Sequence, residues 1–466
     1  MAQGQPIYEA RIPIHPRSVK GRFRNLKTGI LFLAYGVFFG LPWLRWDREF
    51  GPNQAVLFDI PNRQFFLFDL VVYAQDIFWL AGFLVLAALL LFFVTGVLGR
   101  VFCGYFCFQT LWTDVFMYLE RKIQGERPAR IRLSKQSWNF EKLWKLGATH
   151  LSWLLVAFAT GLGFVLYWAD APTMVRDFFT GDARFAAYVT AGLLTATTYT
   201  FAGLAREQVC TFICPYARFQ SVMFDQDTLI VSYDPNRGEG TAGRAKVQAG
   251  LKTREERQAA GVGDCIDCGY CVQVCPTGID IRDGLQVSCI HCALCIDACD
   301  TIMDKQGWPR GLIRYSSEHE LQGEKTRWLK GKTLGYGAAV LVVIGALVFS
   351  ILERPPVDVN VNQVRQPLFV QMSDGRVQNS YELRLNNVSD QELDFALDIA
   401  GLEGADLDLG QVEQIRLEPG QRLTVLARVR HDVEAGADSP IRFHFVISDR
   451  EGRIEPVEAD ARFSYR

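Results

Sequence analysis

Net charge is almost absent from this sequence: 49 lysines and arginines face 51 aspartates and glutamates over 466 residues, a balance of -2. No global field points to nucleic acid or acidic substrates, and no nucleic-acid partner is expected. Cysteine is missing after Cys299, so the C-terminal part has no disulfide staple. Histidine is scarce, at six, and only His150 falls inside a long apolar run, which excludes bis-histidine haem ligation within one chain. No small-residue cleavage site follows the first apolar run, so that run reads as an uncleaved anchor. What is abundant is apolar: 49% hydrophobic and 12% aromatic residues exclude disorder, and the length leaves room for two or three domains. The 12 cysteines fall in four tight groups, which points to metal rather than a disulfide framework.

Five apolar runs are long enough to cross a bilayer, which takes about 20 helical residues: 26–44, 77–98, 146–168, 185–205 and 333–352. The fourth is rich in threonine (Thr190, Thr195, Thr197, Thr198, Thr200) and reads alternatively as a buried soluble helix, although small and hydroxyl residues also suit helix interfaces within a membrane. Arg11, Arg17, Lys20, Arg22, Arg24 and Lys27 precede or open the first run. Nine basic residues from Arg100 to Lys145 separate the second and third, whereas 169–184 holds only Arg176 and Arg184. The positive-inside rule then puts the N-terminus in the cytoplasm and everything after Glu353 outside. Trp43, Trp46, Trp79 and Trp168 sit where an aromatic belt belongs. Every cysteine falls on the side this topology makes cytoplasmic, the reducing compartment in which metal-binding thiols persist. His150 is a functional candidate as an intramembrane ionisable group, with a helix-end or interface role as the alternative.

Cys265-Ile-Asp-Cys268-Gly-Tyr-Cys271-Val-Gln-Val-Cys275-Pro276 is repeated by Cys289-Ile-His-Cys292-Ala-Leu-Cys295-Ile-Asp-Ala-Cys299. In such doubled runs three cysteines wrap one [4Fe-4S] cubane and the fourth reaches the other. Cys265, Cys268, Cys271 and Cys299 are therefore expected on the first cluster, and Cys289, Cys292, Cys295 and Cys275 on the second. Zinc is the competing reading, but one ion takes four ligands and would not call for eight. Asp300 stands where the first run has Pro276, a change to the turn rather than to the ligand set. His291, between two ligands, reads as a solvent-facing filler or as a residue tuning the cluster. Residues 233–264 are rich in Gly, Arg, Lys and Glu and read as a solvated linker, with docking of a donor protein as the alternative.

Two further pairs, Cys103-Gly-Tyr-Phe-Cys107 and Cys210-Thr-Phe-Ile-Cys214-Pro215, each follow a predicted membrane helix and stand 107 positions apart, as a duplication would place them. On a helix, residues four apart share a face, so each pair could grip a soft metal from one side, and thiolates favour Cu(I) or iron–sulfur iron. A copper site, a third centre held by all four thiols, a dithiol redox pair and four buried structural cysteines are the open readings. Arg100 and Arg206 upstream and Gln109 and Gln220 downstream extend the likeness.

Those flanked pairs together with the doubled cluster run resemble the CcoG family, also called FixG or RdxA, over nearly the whole chain. The resemblance implies a cytochrome c oxidase accessory protein engaged in maturation of the cbb3-type oxidase, reducing Cu(II) and delivering Cu(I). It extends to NapH-type quinol dehydrogenase subunits. Phe108 departs from the family proline after the first pair, which puts the backbone at Cys107 in doubt. After Pro355-Pro356, short alternating runs at 357–361, 381–385, 393–397, 423–427 and 441–446 are a β-sandwich pattern, and the resemblance implies an immunoglobulin-like one.

The expected protein is thus a multi-domain inner-membrane protein of bacteria. It has a basic cytoplasmic N-terminus (1–25), a four-helix membrane domain (26–232), a linker (233–264), a two-cluster ferredoxin-like domain (265–310), a fifth membrane helix (333–352) and a periplasmic β-sandwich (357–466). Expected partners are the membrane, a cytoplasmic electron donor, and a copper transporter or chaperone with oxidase assembly factors. Electrons would pass from the clusters to Cu(II) at Cys103, Cys107, Cys210 and Cys214. The rivals are a quinol-linked conduit and a copper-holding scaffold without catalysis.

Overall fold

The computed structural model describes residues 14–48, 51–73, 76–389, 391–410, 412, 414–432 and 440–465. Residues 1–13, Arg11 among them, lie outside these, whereas Arg17, Lys20, Arg22, Arg24 and Lys27 lie within. The chain divides into two compact units, one holding the helices and the cysteine-rich body, the other the C-terminal sheets.

In the first unit, α1 (Arg22–Gly40) leads to a hairpin sheet of β1 (Val56–Asp59), β2 (Gln64–Leu67) and β3 (Leu70–Tyr73), for which the sequence pattern gives no expectation. Then come α2 (Ile77–Leu98), α3 (Val101–Tyr105), α4 (Phe108–Gln124), α5 (Arg127–Lys135), α6 (Phe140–Val165), α7 (Ala171–Thr180) and α8 (Phe185–Thr198). Four helices among the described residues are long and apolar enough to cross a membrane: Arg22–Trp43, Ile77–Leu98, Phe140–Val165 and Gly331–Leu352. Such spans display apolar side chains outward, and Phe83, Leu84, Leu155, Leu341 and Phe349 are all exposed.

The expected fourth span is realised only in part. Its regular helix ends at Thr198 and widens into π turns over Tyr199–Ala205. Thr195 and Thr197 donate back to the carbonyls of Ala191 and Leu193, the hydroxyl habit that loosens a helix. Its small residues still serve packing: a Cβ on Gly161 of α6 would stand 2.4 Å from the Ala191 carbonyl oxygen, so the two helices touch backbone to backbone. His150 of α6 pairs through Nδ1 with the Tyr199 hydroxyl at 2.8 Å, which gives it an inter-helix role.

A second π turn (Val209–Ile213) leads into α9 (Pro215–Met223) and the cysteine-rich body: β4 (Ile230–Tyr233), α10 (Pro235–Glu239), α11 (Arg254–Ala259), α12 (Tyr270–Val274), α13 (Leu294–Gln306), β5 (Ile313–Ser316) and α14 (Glu318–Leu321), followed by α15 (Gly331–Leu352). β4 pairs antiparallel with β5, so the body closes on itself outside the expected limits of 265–310. Residues 233–264 are likewise no free linker. Thr253 and Glu256 form a capping box on α11, and Arg257 is fully buried.

The second unit is a β-sandwich. One sheet runs in the order β10 (Asp406–Asp408), β12 (Arg422–His431), β8 (Val377–Asn387), β6 (Val357–Gln363), with β7 (Val370–Gln371) also on β8. The other runs β11 (Ile415–Leu417), β9 (Leu393–Ala400), β13 (Ile441–Asp449), β14 (Val457–Phe463). All five strand patterns read from the sequence are strands here. Alternate residues of β8 and β13 point inward, so Tyr381, Leu383, Phe443, Phe445 and Ile447 make the core with Phe463. The Tyr381 hydroxyl spans the sandwich to donate to the Arg462 carbonyl at 2.7 Å. Phe445→Ala should cost about 3–5 kcal/mol, the usual range for emptying a buried ring. Chemical denaturation of residues 348–466, followed through the aromatic resonances of the core in NMR, measures it; a loss under about 1 kcal/mol would mean that the core does not rest on this ring.

Candidate iron–sulfur and thiol site

The two cysteine runs fold alike. In each, the residue before the second cysteine and the residue after it take the left-handed conformation: Asp267 and Gly269 in the first, His291 and Ala293 in the second, with φ between 47° and 64°. These bends turn the backbone around a central space. Cys265, Cys268, Cys271 and Cys299 line one cavity of about 370 Å³, with Tyr233 and Arg282. Cys275, Cys289, Cys292 and Cys295 line another of about 360 Å³, which Cys271 also borders. The exchange of the fourth cysteine follows from helix length. Pro276 forces Cys275 into an extended conformation and stops α12 at Val274, whereas Asp300 lets α13 run past Cys299 to Gln306.

The donor set suits cubanes. Among the described residues no three His, Cys, Asp or Glu side chains converge as one metal ion would require. Burial pushes the Cys271 and Cys289 thiols up to about 12, so each needs the positive charge of iron to become a ligand.

Arg257 holds the first cavity's rim. From α11 its guanidinium donates to the carbonyls of Gly263, Cys265 and Ala245, each at 2.9 Å. His291 corrects the reading of it as a solvent-facing filler. It is buried, its Nδ1 accepts the Arg100 backbone N–H at 2.9 Å, and its ring stacks on Phe224. Burial first, then Arg100, pulls its pKa down to about 3, so the ring is neutral.

The two shorter pairs also correct the expectation of one helical face. Cys103 lies in α3, but Cys107 is the extended residue before α4, with ψ 126°. Cys210 lies in the π turn and Cys214, at ψ 109°, caps α9. Each pair is a helical cysteine plus the cap of the next helix, and the break survives in the first pair without proline. The four thiols lie within electrostatic reach of one another, because Cys107 and Cys214 act on the charge of Cys103, and Cys107, Cys103 and Cys214 on that of Cys210, but no three of them converge as a single metal ion would require. Burial raises Cys103 to about 11 and Cys210 to about 12.

An exchange of hydrogen bonds brings the pairs together. Gln109, two residues after Cys107, donates to the Phe201 and Arg206 carbonyls ahead of the second pair. Tyr216, two residues after Cys214, pairs with Thr95 ahead of the first. Tyr216, not Gln220, is therefore the repeat partner of Gln109. Gln220 instead braces the first pair, because its Oε1 accepts from Arg100 Nε at 3.2 Å and from the Cys103 thiol at 3.1 Å.

Comparisons with known proteins agree with this geometry. A 4Fe-4S dicluster domain matches residues 205–318, a 4Fe-4S binding domain residues 78–125, and the IG-like fold at the C-terminal of FixG residues 347–466. Protein RdxB of Cereibacter sphaeroides is 44% identical over 87% of this chain and 85% of its own. Protein RdxA of the same organism is 45% identical over 86% and 85%. Nitrogen fixation protein FixG of Rhizobium meliloti is 40% identical over 98% of this chain and 90% of its own. The chain belongs to the FixG/RdxA family.

As a FixG/RdxA protein it is a membrane iron–sulfur electron-transfer protein with an immunoglobulin-like C-terminal domain. The family's cysteines were legible from spacing, but Arg257, His291 and Tyr216 carry no such mark of their roles. Only Tyr216 left a signal, its place in the repeat. Arg257→Met removes three hydrogen bonds, one of them to the carbonyl of Cys265, which lines the first cavity, each worth about 1–3 kcal/mol when its partner stays buried. Iron content should fall from about eight atoms per chain toward about four, with the second cluster retained. Iron assay and EPR of the reduced protein check this, and unchanged iron would show that the rim does not depend on Arg257.

Proposed function

We propose that this protein passes single electrons from a cytoplasmic donor to Cu(II) held by Cys103, Cys107, Cys210 and Cys214, releasing Cu(I) for assembly of a cbb3-type oxidase. The electrostatic reach of these four thiols to one another, with α3 packed against the Cys292 loop, is the observation that carries the proposal, and copper would draw them together to share a centre. The proposed ligands are Cys265, Cys268, Cys271 and Cys299 for the first cluster and Cys275, Cys289, Cys292 and Cys295 for the second. When bound, the clusters supply one-electron carriage. The rest falls to the chain's own residues. Soft thiolates favour the reduced ion, which raises the driving force for taking an electron onto copper. Cys103 and Cys210, protonated in their buried setting, would release their protons as copper binds, and each bound Cu(II) would then accept one electron and become Cu(I). Gln220 holds the Cys103 thiol and Arg100 together, so the ligand is oriented before copper arrives.

The match of residues 78–125 to a 4Fe-4S binding domain favours a second reading, in which the quartet holds a third iron–sulfur centre. One variant separates the two. With Cys103, Cys107, Cys210 and Cys214 all changed to Ser, the copper reading expects about eight irons to remain and Cu(II) reduction to vanish. Cu(I)-chelator absorbance and iron content are read in the same sample. Loss of about four irons would support the third centre, and undiminished reduction would move the chemistry elsewhere. In a companion ligand test, Cys271→Ser should damage the first cluster most.

The proposed topology puts the N-terminus and clusters in the cytoplasm and the β-sandwich in the periplasm, on the basic bias around Arg100–Lys145. Reporter fusions after Lys122 and after Arg466 should report opposite sides. Identical sidedness would overturn this arrangement.

A further inference from the structure

The quartet has two cavities from which an electron could come, and the molecule treats them differently. α3, which carries Cys103, lies directly on the loop of the second cysteine run. A Cβ on Gly104 would stand 2.8 Å from the Ile290 carbonyl oxygen, 2.9 Å from Cys292 Cα and 3.0 Å from Cys292 N. These are backbone atoms of a loop pinned on both sides, so they have little freedom to give way. Tyr105, the next residue, donates its hydroxyl to the Cys292 carbonyl at 3.1 Å. Arg100, at the start of α3, donates its backbone N–H to His291 and its guanidinium to the Val287 carbonyl. Cys103 and Cys292 are buried in one cluster of side chains with Ile290 and Leu294. The first cavity lies toward solvent instead: Cys268 is the exposed cysteine of the twelve.

We infer that Gly104 is a positioning residue that seats Cys103 on the Cys292 loop, so that the quartet takes its electron from the second cluster while the first receives electrons from the donor. This deepens the proposed copper reduction and rests on it for the identity of the final acceptor. The glycine is required because contact is made backbone to backbone: any side chain here separates the two loops. With Cys292 holding the second cluster, the shortest path to Cys103 would cross the one non-bonded contact between the Cys292 backbone and Gly104, the residue next to Cys103. One electron lost by the reduced second cluster converts one Cu(II) to Cu(I).

The test is Gly104→Ala in the full-length protein, with Gly29→Ala, whose Cβ meets nothing within 4 Å, as control. Redox titration followed by EPR gives the potential of each cluster, assigned with the aid of Cys265→Ser. The iron content should stay at the wild-type level, the second cluster's potential should shift, and the first's should not. After mixing reduced protein with Cu(II), re-oxidation of the second cluster should slow on the order of tenfold or more, the scale set by a small misplacement of a reacting group. Re-oxidation by ferricyanide should be unchanged. If Gly104→Ala does not accumulate, Tyr105→Phe, which keeps the ring and removes the hydroxyl's bonds to the Cys292 carbonyl and to Tyr315, should shift the same potential by less. An unshifted second cluster, or a shift confined to the first, overturns the inference. If Cu(II) leaves even the wild type reduced, the copper reading fails, and the potentials alone decide the role of Gly104.

Discussion

One carboxylate ties the iron–sulfur body to the membrane helices. Asp297, on α13 between Cys295 and Cys299, accepts the backbone N–H groups of Phe23 and Arg24 at 3.3 and 2.7 Å. α1 has no side-chain cap of its own, so its first turn is completed by a residue from across the molecule. Gly21 makes room: a Cβ there would stand 2.2 Å from the Asp297 carboxyl carbon. The guanidinium of the same Arg24 grips Asp114 of α4 with two hydrogen bonds, at 2.9 and 2.6 Å. Burial works against ionising Asp114, but Lys27 and Arg24 hold its carboxyl below the usual carboxylate range. Three helices from distant parts of the sequence thereby share one charge network. A buried network of this kind adds little net stability, but breaking it leaves unpaired charge, which fixes the arrangement.

Much of this was legible because spacing is the signal that metal ligation and β-structure leave behind. The doubled run of eight cysteines indicated which four line each cavity, and period-2 alternation located β6, β8, β9, β12 and β13. What escaped was packing made without apolar residues. Arg257 is buried among carbonyls, and Gly238 and Gly263 approach so closely that a Cβ on Gly263 would stand 2.2 Å from the Gly238 carbonyl. A stretch of glycine and arginine held this way has no hydrophobic period and reads as solvated linker. His291 failed for a related reason, since a histidine between two ligands looks the same from sequence whether its partner is water or the distant Arg100.

The shorter cysteine pairs show how duplication becomes a site. Two copies of a helix followed by two spaced cysteines do not by themselves place four thiols together. The reciprocal bonds of Gln109 and Tyr216 do, because each copy's downstream residue fastens to the helix that precedes the other copy. The copies then diverged where the iron–sulfur body meets them. Arg100 bonds His291, Val287 and Gln220, whereas Arg206 pairs with Glu120 at 2.9 Å and lies over Trp153. One arginine faces the clusters and the other faces the helix bundle.

That asymmetry bears on how electrons reach the quartet. A body on a flexible tether would have to find the thiols anew for each transfer, at an entropic cost on every encounter. Here residues 233–264 are folded, β4 and β5 close the body, and Asp297, Arg100 and Tyr105 fasten it to two separate helices, α1 and α3. The cost of alignment is met once, during folding, so on the proposed route the Cys292 loop and α3 would already be in contact before an electron arrives. On the proposed route a fixed contact would also set a direction, since the Cys268 side is exposed while the Cys292 side is covered by α3.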